Sequence, residues 1–362
     1  MNTDYGKREK NAVDAIKKAI PTSMKSNMLK SSAGMFCEVY ENKEVFPKHF
    51  LACSIDGVGT KVILASAMDK YDSIGIDLVA MSANDLATIG NMSPFLFIDY
   101  IAAEHKIEEE GKTGDIVKGI VNGLEQCDAS SILRNSIRIN FGKGETASVD
   151  ELMSGIRPGY GFDIAGGMIG FVEKAKVNFS LKDGQSIVAL PSSGLHSNGF
   201  TFARHILLNG DFETRSIFRK NYTGKFGLDS DFDGKTLGEV MLEPTEIYVR
   251  AMAKVTKDFE AVGVNNTGYG LKNFNRFPGK FEFRIDNPIE PSPIFRLLQK
   301  ESRLSDKDMY SKFNMGMGFF IICNKEETED VASIAKGQIV GEVKKAPKTR
   351  TVLRGKTAFE GY

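Results

Sequence analysis

Ile55-Asp56-Gly57-Val58-Gly59-Thr60-Lys61 is the stretch on which the reading of this chain turns. It closes an apolar run that begins at His49 and has the composition of a short buried strand. Such a strand delivers a carboxylate to its C-terminal end, into a turn with two glycines, a hydroxyl and an ammonium. Gly57 and Gly59 permit positive φ and let main-chain N–H groups come close to a phosphate. Asp56 suits a divalent cation, Lys61 suits phosphate charge, and Thr60 suits either. The competing reading is an ordinary strand–turn–helix corner with aspartate as its turn residue. The carboxylates and amides that follow favour the first.

Working outward, residues 1–20 are charged, with Val13, Ile16 and Ile20 spaced along one helical face and Pro21 as the stop. Residues 22–37 read as a polar loop, either a segment that closes over a ligand or a plain surface connection. Downstream come a helix whose clearest part is 76–89, a buried strand at 94–103 and an amphipathic helix at 107–127. A strand at 136–141 then runs into Gly142-Lys143-Gly144-Glu145-Thr146, and a glycine-rich segment leads into a strand at 162–172. The composition turns polar around 173–182. This gives domains at 1–173 and 174–345, with 346–362 as a tail. The second half reads as strands at 186–190, 280–285, 317–323 and 338–343. Its helices fall at 201–208, 243–259 (Pro244 in the first turn), 292–298 and 326–336. Some connections are hairpin-like and break a strict βαβ series, so the fold class is α+β with mixed sheets in two domains.

The 362 residues suffice for two cores. Lys+Arg and Asp+Glu balance at 47 each, which leaves no general attraction for nucleic acid or an anionic membrane. No apolar run approaches the ~20 residues of a membrane helix, and the first residues lack a leader's hydrophobic centre. Four scattered cysteines form no C-x-x-C pair and read as reduced thiols, so the expected compartment is the cytoplasm.

The helix at 74–89 is mostly apolar, so its polar members matter. Asp77 reads as an N-cap after Gly75, or else shares a face with Asn84 two turns on. Asn84 and Asp85 are weak helix formers in mid-helix, which points to a role with Asp56 around Mg²⁺. Asp99 interrupts an apolar strand, where a carboxylate is costly unless paired or metal-bound. Glu145 follows the same logic at another strand end. A polyphosphate carrying Mg²⁺ would relieve the repulsion of Asp56, Asp85, Asp99 and Glu145 if they converge. Ser192, Ser193, His196, Ser197 and Asn198 precede a helix, as either a phosphate cradle or an elaborate N-cap.

Taken together, 56–61, 75–81, 84–86, 97–100 and 144–147 resemble the purine-biosynthetic aminoimidazole ribonucleotide synthetase family. So do 192–200, 243–249 and 313–318, and all occur in the family's order. The resemblance implies a two-domain fold that dimerises through a β-barrel built from strands of both protomers. It implies ATP-dependent closure of formylglycinamidine ribonucleotide to aminoimidazole ribonucleotide, with Mg²⁺. Asp56, Asp85 and Asn314 would act at the reacting groups, with Asp56, Asp85 and Glu145 as metal ligands. Gly57, Gly59, Thr60, Lys61, Asn84, Asp99, Glu145 and Thr146 would bind the nucleotide. Ser192, Ser193, His196, Ser197 and Asn198 would hold the substrate's 5′-phosphate.

Three departures from the family pattern fall on ligand-facing motifs. Asn265-Asn266-Thr267-Gly268-Tyr269-Gly270 stands where the family has His-x-Thr-Gly-Gly-Gly. Lys143 replaces a glycine, and the N-terminal glycine loop is reduced to Ser31-Ser32-Ala33-Gly34. A relative activating another amide-type substrate with ATP, or a catalytically weakened nucleotide binder, is the alternative. A selenophosphate-synthetase reading needs a cysteine before that loop, and Cys37 follows it.

Overall fold

The computed structural model describes residues 15, 16 and 18–361. The helix read across 1–20 lies mainly outside the described residues. In the first domain, β1 (Glu38–Glu41), β2 (His49–Gly57), β3 (Met92–Ala103), β4 (Asn140–Ser148) and β5 (Phe162–Glu173) form one sheet, ordered β1-β2-β5-β3-β4. Only the β3–β4 pair is parallel. Helices α1 (Lys61–Met68), α2 (Asp72–Ala87) and α3 (Lys112–Cys127) follow from the same sequence. Helix α2 lies against β2, β3 and β5, and packs on α3. That crossing is close because both helices present glycine: a Cβ on Gly119 would sit 1.8 Å from the Asp72 carbonyl.

Strand alternation sorts β3 into Phe97, Asp99 and Ile101 toward the helices, with Ile98 and Tyr100 outward. The outward face is uncovered in the single chain. Ile55 is 75% exposed there, with Phe95, Ile98 and Tyr100 also among the exposed large apolar residues.

The second sheet comprises β6 (Ser186–Pro191), β7 (Ala261–Asn265), β8 (Phe281–Ile285), β9 (Met317–Cys323), β10 (Gln338–Lys345), β11 (Arg350–Leu353) and β12 (Thr357–Phe359). Its order is β12-β11-β8-β10-β6-β9-β7, and β8–β11 is its parallel pair. Helices α4 (Phe200–Leu207) and α5 (Val249–Thr256) belong to this half. Both sheets are mixed, as the α+β reading requires, and the first is open rather than closed into a barrel.

Several elements differ from expectation. The helix read at 243–259 is instead a short helix at Leu237–Leu242, an irregular stretch over 243–248, and α5. Pro244 sits in the irregular part. Helix α2 begins at Asp72, so Asp77 lies inside it and is no N-cap. Strand β4 runs through the Gly-Lys-Gly-Glu-Thr segment, which puts Glu145 in mid-strand. Residues 350–359, read as tail, add two strands to the second sheet. All four cysteines are free, and Cys37 is buried despite its glycine-containing loop. No helix among the described residues is long and apolar enough to cross a membrane.

Candidate active site at the domain boundary

Asp56 lies next to last in β2, where the Gly57 N–H donates to its Oδ1 at 2.8 Å. Ser54, two residues earlier on the same face, donates to Asp85 Oδ2 on α2 at 3.4 Å. From the second domain, Asn265 Nδ2 donates to Asp85 Oδ1 at 2.8 Å. Burial, joined by the charge of Asp56, pushes the Asp85 carboxyl up to about 7, against the donations from Asn265 and Ser54. Burial likewise raises Asp56 above the usual carboxylate range. Asp56 and Asp85 thus lie close enough for the charge of one to act on the other.

Arg276, which no motif singles out, completes the Asp56 end of the site. Its Nη1 donates to the carbonyls of Gly34 and Met35 at 3.4 and 3.3 Å, and its guanidinium lies 4.6 Å from the Phe36 ring centroid. Burial lowers Arg276 to about 10, while the charge of Asp85 works the other way. The segment read as a polar loop at 22–37 is therefore tied down at 34–36 by the second domain. Only an arginine at the end of a short 3₁₀ helix, Gly270–Arg276, signals this in the sequence.

Across the first sheet, Asp56, Gly166, Asp99 and Gly144 stand in one row, each beside the next. Asp99 is buried, burial raises its carboxyl, and its Oδ1 has no partner among the described residues. Gly144 leaves it room, since a Cβ there would stand 2.8 Å from that oxygen. Glu145 does not join this group. It pairs with Tyr100, on the uncovered face of the sheet, and meets the exposed Lys143 at 3.1 Å. The expected metal set Asp56, Asp85 and Glu145 is thus not assembled: no group of three His, Cys, Asp or Glu side chains placed for a metal occurs among the described residues. The cause is the two-residue strand period, which sends neighbours of Gly144 to the other face. Thr146 is exposed on the same edge strand.

Three further expectations are redirected. Lys61 is fully buried and meets Asp77 Oδ2 at 2.8 Å, with a second bond to the Glu243 carbonyl at 2.7 Å. It does not face open space where a phosphate could sit. Asn84 donates to the Glu246 carbonyl at 2.8 Å and accepts from the Tyr248 N–H at 2.8 Å, so both ends of its amide hold the second domain. Asn314 is buried. Its Nδ2 donates to the Gly194 carbonyl, and its Oδ1 accepts from Ser192 Oγ and the Gly316 N–H, each at 2.9 Å. It supports the serine loop from beneath. Gly59 does adopt positive φ, and Thr60 meets Thr201 across the boundary at 2.8 Å.

The loop from Ser192 to Asn198 is not an elaborate cap. Gly199 occupies the N-cap of α4 without any side-chain cap bond. Ser193 Oγ donates to the Pro244 carbonyl at 2.5 Å and Ser197 Oγ to Asp77 Oδ1 at 3.1 Å. His196 is buried at positive φ with Nε2 unpartnered among the described residues. Burial, with the Lys61 charge nearby, holds its imidazole down at about 3. It is neutral at physiological pH and offers no charge to a phosphate. Asn198 reaches toward Gly268, where a Cβ would stand 3.5 Å from its Oδ1.

Both halves of this arrangement have counterparts elsewhere. Residues 39–172 match the N-terminal domain of AIR synthase related proteins, and residues 182–354 match the C-terminal domain. The chain belongs to the AIR synthase related family. Within it, a phosphoribosylformylglycinamidine cyclo-ligase of Methanosarcina acetivorans is 36% identical over 82% of this chain and 81% of its own. One of Carboxydothermus hydrogenoformans is 35% identical over 91% of both chains. Solved structures extend the AIR synthase related fold further. A thiamine monophosphate kinase of Aquifex aeolicus superposes with a TM-score of 0.56 at 12% identity, covering 99% of each chain. A chain of the HypE–HypF complex gives 0.56 at 12% identity, covering 96% of this chain and 97% of that one.

Proposed function

We propose that this chain is an ATP-dependent cyclo-ligase that closes formylglycinamidine ribonucleotide to aminoimidazole ribonucleotide. The observation that carries this reading is the 33–36% identity to named cyclo-ligases through both domains. In the proposed reaction the formamide oxygen attacks the γ-phosphorus and ADP leaves. The amidine nitrogen then attacks the activated carbon, the C–O bond breaks, phosphate departs with the oxygen, and a proton is lost. Asp56 and Asp85 occupy the nucleotide end, and Arg276 supplies cationic charge beside them.

Mg²⁺ fits this end on chemical grounds. It takes one or two carboxylates plus phosphate oxygens and water, and does not need a three-carboxylate cage. Asp56 and Asp85 raise one another's cost of ionisation, which a bound cation would relieve. When bound, Mg²⁺ would neutralise charge on the transferring phosphoryl group. Asp99, with its unpartnered oxygen, lies one strand beyond Gly166 in the same row and is the further carboxylate available. The loop from Ser192 to Asn198 and the start of α4 take the 5′-phosphate.

We also place the working unit as a homodimer joined through the uncovered face of the first sheet, in the cytoplasm. That face carries Glu145 and Lys143. The decisive test incubates the purified protein with ATP, Mg²⁺ and formylglycinamidine ribonucleotide, and follows aminoimidazole ribonucleotide and ADP. Equal amounts of both support the reading. ADP formation without the aminoimidazole product, or no turnover, removes it. The amide of Asn265, where the family pattern has histidine, favours the second reading in that event, a relative acting on another amide.

A further inference from the structure

Lys61, which the sequence assigns to the nucleotide, meets Asp77 instead. Lys61 and Asp77 are both 0% exposed, an arrangement costly to both charges unless each is fully hydrogen-bonded. Asp77 meets that condition at Oδ1, through the second domain, while Oδ2 faces the Lys61 ammonium at 2.8 Å and accepts no hydrogen bond among the described residues. Its Oδ1 accepts from the Thr245 N–H at 2.8 Å, Thr245 Oγ1 at 2.6 Å and Ser197 Oγ at 3.1 Å, besides Lys61 Nζ at 3.0 Å. Lys61 in turn donates to the Glu243 carbonyl. Two turns along α2, Asn84 clasps the Glu246 carbonyl and the Tyr248 N–H. The irregular stretch at 243–248 has no helix or strand ladder of its own, and the first domain supplies its bonds.

The same stretch holds the serine loop, because Ser193 donates to the Pro244 carbonyl. Ser192 donates to Asn314 and Ser197 to Asp77. Each of the three hydroxyl protons points into the protein, and a phosphate oxygen, itself an acceptor, cannot use them as they stand. Apart from the turn at His196 and Ser197, the main-chain N–H groups of 193–199 have no acceptor among the described residues.

We infer that Asp77, fixed by Lys61, is a positioning residue for the ribonucleotide end of the site. It holds Ser197 and Thr245 across the domain boundary, so that main-chain N–H groups of the loop meet the phosphate. The serine hydroxyls act as tethers and are not phosphate ligands. This inference rests on the assignment of a phosphate ester to this loop in the proposed function.

The test is a double-mutant cycle on Asp77→Ala and Ser197→Ala, read by steady-state kinetics and by calorimetric titration with ribose 5-phosphate. Each single change is expected to weaken ribose 5-phosphate and raise the ribonucleotide KM by roughly tenfold, with the ATP KM moved less than about threefold. The double variant is expected to be no worse than either single one, since both remove one tether. Ser197→Thr, which keeps the hydroxyl, should restore binding. A silent Asp77→Ala beside a damaging Ser197→Ala, or additive losses, would make Ser197 a direct ligand and overturn the inference. If Asp77→Ala does not fold, Thr245→Val replaces it in the same cycle. Ribose 5-phosphate binding that is coupled in this way without any cyclo-ligase turnover would keep the tether and remove the proposed reaction. No binding of ribose 5-phosphate by the unaltered protein removes the inference itself.

Discussion

Asn265, at the end of β7, donates to Asp85 on α2 at 2.8 Å, and so joins the two domains at the Asp56 end of the candidate site. The amide does not titrate, so the charge state at this contact is set by Asp85 and its surroundings. Burial and Asp56 place that carboxyl at about 7, above the ~3.9 of an unfolded aspartate. A folded value above the unfolded one gives stability that is complete below about pH 4 and lost as pH rises through 7.

Asp85→Asn should therefore raise the Tm of the ligand-free protein at pH 8 more than at pH 5, since the amide still accepts from Asn265. The same change should weaken Mg²⁺–ATP by tenfold or more. Thermal melts at both pH values and calorimetry with ATP check this. A Tm gap that does not depend on pH would show that the carboxylate is under no electrostatic cost.

Arg276 ties residues 34–36 to the second domain through two carbonyls and the Phe36 ring. Arg276→Met keeps much of the volume and removes the donors. Cleavage within 22–37 by a trace of protease should become at least several-fold faster, and the ATP KM should rise by about tenfold. An unchanged cleavage rate would mean that the segment is held by its own buried Met35, Phe36 and Cys37.

The uncovered sheet face should bring two copies together. Light scattering is expected to give about 80 kDa, twice the 39.8 kDa chain. Ile55→Glu places a charge at the most exposed apolar position of that face and should yield monomers. A dimer that survives this change uses another surface.

His196 gives the protein a second pH dependence, of opposite sign. Its folded value of about 3 lies below the ~6.5 of an unfolded histidine. The unfolded chain therefore takes up a proton below pH 6.5 that the folded chain refuses until about 3. Stability falls across that window by up to about 1.4 kcal/mol per pH unit from this group alone. His196→Asn tolerates the positive φ and cannot titrate. Denaturant unfolding between pH 4 and 6.5 should show a shallower loss for the variant, and parallel slopes would exclude His196 as the cause.

The sequence by itself determined the two-domain α+β organisation, because hydrophobic period and glycine punctuation are local properties of the chain. Strand β9 at Met317–Cys323 and the Asp56 corner were legible for that reason. It also named the side chains that gather at the boundary between the domains. Tertiary structure decided what each of them does there. Lys61 and Asp77 lie sixteen residues apart, and only the approach of Glu243, Thr245 and Ser197 turns a candidate nucleotide ligand and a candidate N-cap into a buried clasp. Glu145 was assigned by its motif, yet one step of strand register separates the Asp99 row from the uncovered face. Arg276 carries no motif and reaches the site through contacts more than 240 residues away in sequence. Composition and spacing fix which groups a segment offers. Which groups face one another depends on register and domain contact, and those are set by packing between segments distant in the chain.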